Sequence, residues 1–210
     1  MKYTHIVWDF NGTILNDVET GIKSINTLLA RRNLPIVKSI DEYHGAFRFP
    51  VIEYYKHVGF DFNKESYEEI AAEWVAEYNK NAVGAKLYDG VTEALKNIKA
   101  PQYIISASEK SILVNQLAYY NILNYFTEII GLENIYASSK ITIALEWKNR
   151  IKPEKVLLIG DTDHDHKTAL AMEADCILIA GGHQSHDTLK KCGVPVFNNI
   201  KEAYGFLFLI

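Results

Sequence analysis

Four short apolar runs punctuate the chain: His5-Ile6-Val7-Trp8, Gln102-Tyr103-Ile104-Ile105, Val156-Leu157-Leu158-Ile159 and Cys176-Ile177-Leu178-Ile179-Ala180. Each is apolar at consecutive positions rather than at alternate ones. That pattern predicts strands buried on both faces, as in a parallel sheet covered by helices. Glu128-Ile129-Ile130 and Pro195-Val196-Phe197 are shorter candidates of the same kind. Between the runs the apolar positions take helical spacing, as with Leu113, Leu117 and Tyr120, or Ala169, Leu170 and Met172 after Asp163. Strand and helix in alternation predict an α/β fold with a Rossmann-like, doubly wound parallel sheet.

The stretch 16–86 breaks the alternation. Ile22, Ile25, Leu28 and Leu29 form one helical stripe. Val51, Ile52, Tyr55 and Val58 form a second, ended by Gly59, a residue favoured just past a helix terminus. Tyr67, Ile70, Ala71, Trp74, Val75 and Tyr78 form a third. No strand pattern interrupts them. An all-helical unit over 16–86 is therefore expected to be inserted into a sheet domain made of 1–15 and 87–210. The aromatic stripe Tyr67, Trp74 and Tyr78 is expected to be core of that unit.

Composition narrows the function. Of 210 residues, 48% are hydrophobic and 23% charged, an ordinary globular mix. The net charge of −4 argues against nucleic acid as a macromolecular partner. Two cysteines, Cys176 and Cys192, cannot build a disulfide framework and point to a reducing, cytoplasmic setting. No apolar run approaches the ~20 residues of a membrane span, and the first residues lack the apolar length of a signal peptide. No membrane partner is expected. The apolar tail Phe206–Ile210 is expected to be a packed end, in a monomer or homodimer.

Ligands of open α/β sheets bind at the carboxyl ends of strands, so candidate chemistry is sought there. The first run leads into Asp9-Phe10-Asn11-Gly12-Thr13, readable as an Asx turn or as a carboxylate presented at a site. The second leads into Ser106-Ala107-Ser108, whose hydroxyls can cap the next helix or contact an oxyanion. Ser138-Ser139-Lys140 opens a further helix, where a lysine is normally a solvated charge. The third main run leads into Gly160-Asp161-Thr162-Asp163-His164-Asp165-His166. Carboxylates gathered at the mouth of a buried strand need a cation, and a hard divalent ion suits oxygen ligands. A transition-metal site on His164 and His166 is the second option. His183 and His186 are expected to be solvated loop histidines.

In this order, the four segments resemble the motifs of the haloacid dehalogenase-like hydrolase superfamily. Asp9 through Thr13 resembles its Asp-x-Asp-x-Thr motif, Ser106 its second, Lys140 its third, and Gly160-Asp161 with Asp165 its Gly-Asp-x-x-x-Asp. The helical insertion resembles the cap of members that carry it after the first motif. Phe49 through Tyr55 and Gly182 through Ser185 are similar to phosphoglycolate phosphatase-like members.

The resemblance implies a Mg²⁺-dependent phosphatase acting on a small phosphorylated metabolite. Asp9 would be the nucleophile and carry an aspartyl phosphate. Mg²⁺ would be held by Asp9, the Asn11 backbone carbonyl and Asp161, with Asp165 beside the ion or orienting its water. Ser106 and Lys140 would bind phosphate oxygens, and amides near Phe10 and Ala107 would complete the cradle. Asn11 departs from the pattern, because the family's phosphatases place a proton-transferring Asp there. An amide can donate a hydrogen bond to a leaving oxygen but cannot transfer a proton, which predicts slow turnover of alkyl phosphates and a bias to good leaving groups. The Asn11-Gly12 pair is also a candidate for deamidation. In the cap, Arg48 is either a binder for a second anionic group of the substrate or an exposed surface charge; His44, Glu53 and Tyr54 are weaker candidates. Two rival functions follow. One is a catalytically weak phosphate-binding or regulatory protein. The other is a phosphonate-cleaving enzyme, which would need a cap lysine such as Lys38 or Lys56.

Overall fold

The computed structural model describes residues 2–137 and 139–207. Six strands form one all-parallel sheet: β1 (His5–Trp8), β4 (Gln102–Glu109), β5 (Glu128–Leu132), β6 (Val156–Gly160), β7 (Asp175–Ile179) and β8 (Val196–Phe197), in the order β5-β4-β1-β6-β7-β8. β1 is central, with Val7 opposite Tyr103 on one side and Leu158 on the other. The chain first builds outward through β4 and β5, then crosses back to β6. The switch point therefore lies at the carboxyl end of β1, between β4 and β6, where such sheets place their ligands.

Both faces of the sheet are buried, which is why the strands are apolar at consecutive positions. Ile6, Trp8, Ile104, Leu157, Ile159 and Ile177 point to one side, where α5 (Val91–Asn97), α6 (Lys110–Tyr119) and α10 (Ile200–Leu207) supply Leu95, Leu113 and Ile200. Val7, Tyr103, Ile105, Leu158 and Leu178 point to the other, against Trp147 of α7 (Ile141–Ile151), Ala169 of α8 (Asp163–Ala171) and Leu189 of α9 (His186–Lys190). This is the expected three-layer α/β architecture.

Between β1 and β4 lie α1 (Val18–Arg31), α2 (Ile40–Ala46), α3 (Val51–His57) and α4 (Tyr67–Asn81). They close over their own cluster, including Ile25, Leu28, Leu29, Tyr43, Tyr55 and Ile70. Ser66 and Glu69 form a capping box that starts α4, and Arg31 of α1 and Arg32 just past its end pair with Glu73 of α4. The chain enters and leaves this stretch side by side: β2 (Leu15–Asn16) and β3 (Lys86–Leu87) pair antiparallel as a two-stranded neck. Three helical stripes were legible in the sequence here, and the structure has four helices. α2 offers only Ile40, Tyr43 and Ala46 as apolar positions among polar and charged neighbours, too sparse a pattern for a stripe to declare itself.

Both cysteines are free. No helix among the described residues is long and apolar enough to cross a membrane. Phe206 packs on Phe197 at 5.2 Å; the end of the apolar tail, residues 208–210, and Ser138 lie outside the described residues.

Candidate active site

Three carboxylates converge at the switch point. Asp9 follows β1, Asp161 follows β6, and Asp165 sits in the first turn of α8. Each is buried, and one oxygen of each lies within 4.8 Å of the others. Glycine makes this approach feasible. Gly12 adopts a φ of +76°, and a Cβ there would fall 2.2 Å from an Asp161 oxygen. A Cβ on Gly160 would lie equally close to the Asp165 carboxyl carbon. Larger residues at either position would push the carboxylates apart.

Two of the acids are aimed by neutral donors. Asp161 accepts from the Thr13 hydroxyl at 2.9 Å and from the His183 amide at 2.6 Å. Asp165 accepts from the Thr162 hydroxyl at 2.6 Å, while the same hydroxyl caps α8. The charge in the cluster comes from Lys140, which is 2% exposed. Its Nζ donates to Asp9, lies 2.6 Å from Asp165 and reaches the Ile105 carbonyl at 3.1 Å. Counted as fully ionised, three carboxylates and one ammonium would leave two negative charges in a buried site.

The acidities reflect that excess. Burial, reinforced by Asp165 and Asp161, pushes Asp9 well above the usual carboxylate range despite Lys140. Burial and Asp165 likewise raise Asp161 to about 6. Asp165 stays below its usual value, since burial is outweighed by Lys140 and Thr162. The donor set therefore fits a hard divalent cation: buried oxygen ligands, converging, with the charge deficit such an ion would remove.

A second polar cluster adjoins the first. Asn11 Nδ2 donates to Asp17 Oδ2 at 2.8 Å and to the Tyr78 hydroxyl at 2.9 Å, and Asn11 Oδ1 accepts from Ser108 at 2.7 Å. Asp17 also accepts from the Gly12 amide at 2.9 Å and from Tyr78 at 2.6 Å. His183 completes it: Nε2 lies 3.5 Å from Asp17, and Nδ1 bonds the Tyr43 hydroxyl at 2.8 Å. Burial alone would make His183 more acidic; the facing Asp17, with Asp161 and Asp9 beyond, raises it to about 9. Asp17, Tyr43 and Tyr78 belong to the helical insert and its lead-in, and the rest to the sheet domain, so this cluster ties the two together.

The family model for haloacid dehalogenase-like hydrolases matches residues 6–179, a span holding every motif above. The chain belongs to that family. Among curated proteins none matches the sequence. Solved structures share the fold at low identity. A haloacid dehalogenase-like family hydrolase from Streptococcus pneumoniae superposes with a TM-score of 0.83 at 19% identity, covering 98% of each chain. A protein named a predicted phosphatase, from Clostridium acetobutylicum, gives 0.80 at 19%, covering 99% of each. One named a predicted phosphoglycolate phosphatase, from Haemophilus somnus, gives 0.77 at 15%, again covering 99% of each.

Within this haloacid dehalogenase-like fold the expected residues separate into two groups. Asp9, Asn11, Ser106, Ala107, Lys140, Asp161 and Asp165 all line one cleft. Arg48 does not. Its guanidinium donates to the Ala46 and Gly45 carbonyls, where it satisfies the exposed C-terminal end of α2. Glu53 pairs with Lys56 on the surface. Asp163 is turned out to Lys167 and Gln184. His164 and His166 do not join an acidic cluster: His164 stacks on Phe49 at 4.6 Å, and burial with nearby Lys140 lowers it to about 4. Among the described residues, Asp9, Asp161 and Asp165 are the one group that could hold a metal.

Other readings need correcting. The helix-capping role open to Ser106 and Ser108 belongs to Glu109, because β4 runs on through both serines. Lys140 and His183 are buried rather than solvated. Tyr78 is less a core residue than part of the Asn11 cluster. Asp17 was missed altogether. It occupies the N-cap position of α1, which explains its residue type by itself, yet its side chain makes no cap bond and turns back to Asn11 and Gly12.

Proposed function

We propose that the chain is a phosphatase, hydrolysing a small phosphate monoester through an aspartyl phosphate on Asp9. The observation that supports this is the buried meeting of Asp9, Asp161 and Asp165, with Lys140 bonded to Asp9 and Asp165. Mg²⁺ would be held by Asp9, the Asn11 carbonyl and Asp161, with Asp165 at its side. Bound there, the ion would offset phosphoryl charge and let an anionic substrate approach a carboxylate.

The protein groups then divide the work. Lys140, together with the bound cation, would favour the ionised form of Asp9 against its burial and, with Ser106 and the Ala107 amide, would bind the non-bridging oxygens. An Asp9 oxygen bonds to phosphorus as the ester oxygen leaves with its electron pair. Water next attacks the phosphorus, the bond to Asp9 breaks, and phosphate is released. Asn11 transfers no proton in either half. Both of its N–H groups are already engaged by Asp17 and Tyr78, so it does not reach the leaving oxygen as a donor either. General acid–base catalysis is worth about 10²–10⁴ in rate, so alkyl esters should turn over slowly.

The helices of 16–86 act as the cap, and the leaving group lies between them and Ser108. The substrate is a free small metabolite, met in the cytoplasm by a monomer or homodimer; the net charge of −4 and the two free cysteines support that setting. Arg48 plays no part in substrate binding. A phosphonate-cleaving role is not favoured, since Lys140 is the lysine lining the cleft and it is held by Asp9 and Asp165. The engaged Asn11 amide favours one second reading, a phosphate-binding or regulatory protein with weak turnover. The two are separated by assaying acetyl phosphate and a panel of phosphomonoesters with Mg²⁺ beside an Asp9→Asn control. Phosphate release lost in the control supports the phosphatase; binding without release supports the second reading.

A further inference from the structure

Beyond the carboxylates, the cleft is walled from the helical insert by Phe47, Phe49, Tyr54, Tyr67 and Trp74. The cleft as a whole offers about 150 Å³, shared between the carboxylate end and this aromatic wall. The Trp74 ring already lies nearly parallel to Tyr78, at 4.8 Å and 24°. Among the described lining residues no cation is available for a second anionic group. Lys140 is held by two carboxylates and His183 by Asp17, and Arg48 is turned back onto the end of α2. Asp17 and Glu109 add negative charge to the same lining. One neutral group is unpartnered: the Tyr54 hydroxyl, buried in a side chain 3% exposed.

Resting on the phosphatase reading, we propose that this site takes phosphate monoesters of uncharged phenols, with the ring against Trp74 and Tyr67 and the phosphorus at Asp9. Two independent features agree on this class. The wall is aromatic and without a free cation, and Asn11 supplies no proton. A phenol has a pKa of about 10, like a tyrosine side chain, so phenolate departs without an acid where an alkoxide does not. In the first step an Asp9 oxygen bonds to phosphorus, the phosphorus–oxygen bond to the ring breaks, and phenolate leaves with the electron pair and takes a proton from water. In the second, water attacks phosphorus, the Asp9–phosphorus bond breaks, and phosphate leaves. The products are a phenol and inorganic phosphate.

The test is kcat/KM of the full chain with Mg²⁺ for phenyl phosphate, benzyl phosphate, 2-phosphoglycolate and acetyl phosphate, beside Asp9→Asn. Benzyl phosphate carries the ring on a poor leaving group, and acetyl phosphate has a good leaving group without the ring. Phenyl phosphate is expected to exceed benzyl phosphate and 2-phosphoglycolate by about 100-fold or more. In Trp74→Leu the phenyl-to-acetyl ratio is expected to fall about tenfold, mainly through KM. The ranking in the unmodified protein decides the matter even if that variant folds poorly. If acetyl phosphate is hydrolysed in an Asp9-dependent way but 2-phosphoglycolate matches or beats phenyl phosphate, the phenol assignment is overturned and the phosphatase reading stands. If no compound is hydrolysed above the Asp9→Asn control, both fall.

Discussion

Asn11 and Asp17 are locked to one another: the amide donates to the carboxylate at 2.8 Å, and the Tyr78 hydroxyl bridges the pair. The arrangement accounts for an amide at this position, because a carboxylate there would face a second buried carboxylate at hydrogen-bond distance. Two such groups cannot both ionise cheaply. Asn11→Asp is therefore expected to gain a proton-transferring group and to lose stability. Hydrolysis of ethyl phosphate should rise more than that of phenyl phosphate. Because the new carboxyl would titrate above its unfolded value, the penalty should be small near pH 4 and grow toward pH 7, to roughly 1–3 kcal/mol. Denaturant melts at both pH values, with the two rates, check this. Equal rate gains for both esters would contradict it.

Lys140 is the buried cation that Asp9 and Asp165 share. Removing it leaves two buried carboxylates without a cationic partner, a change that costs about 3–5 kcal/mol in comparable buried pairs. Lys140→Met should melt at lower temperature and lose about 10²–10³ in kcat, as when one donor to developing charge is deleted. Saturating Mg²⁺ should recover part of the stability and little of the rate. Thermal melts with and without Mg²⁺ provide the measurement.

The same charge deficit sets a pH dependence for metal binding. Asp161 titrates at about 6 and Asp9 higher than an ordinary carboxyl, both chiefly through burial. A bound cation must displace those protons. Apparent Mg²⁺ affinity should then rise with pH through about 6, and the melting temperature gained at fixed Mg²⁺ should rise with it. Asp161→Asn should abolish most of that gain. A Mg²⁺ effect flat from pH 5 to 8 would contradict the assignment of these acids as ligands.

The Asn11-Gly12 pair looks prone to deamidation in the sequence, but the fold protects it. The reaction needs the Gly12 nitrogen to attack the Asn11 side-chain carbonyl. That nitrogen donates to Leu15 O and Asp17, both at 2.9 Å, and the Asn11 amide is held at both ends. Folded protein aged at neutral pH should show Asn11 intact in peptide maps, while protein held unfolded converts.

What the sequence disclosed follows from physics. β1 and β6 were legible because strands buried on both faces must be apolar at consecutive positions, and Asp9 and Asp161 because each directly follows such a strand, with Asp165 one helical turn further on. What escaped lies in long-range pairing. His183 looks like a loop histidine until Tyr43, 140 residues earlier in sequence, and Asp17 enclose it. Asp17 was hidden by a plausible local explanation, its N-cap position. Arg48 misled in the opposite sense: nothing local shows that a guanidinium will fold back on the last carbonyls of the preceding helix.

The most direct test of the account is to trap the covalent step. Without a group at position 11 to activate water, breakdown of the aspartyl phosphate should be slower than its formation. Mixing the protein with acetyl phosphate and Mg²⁺, quenching in acid and mapping peptides should find a phosphoryl group on Asp9, less of it in Asn11→Asp and none in Asp9→Asn. Phosphate release that proceeds in Asp9→Asn, or with no phosphorylated Asp9 at any quench time, would contradict it.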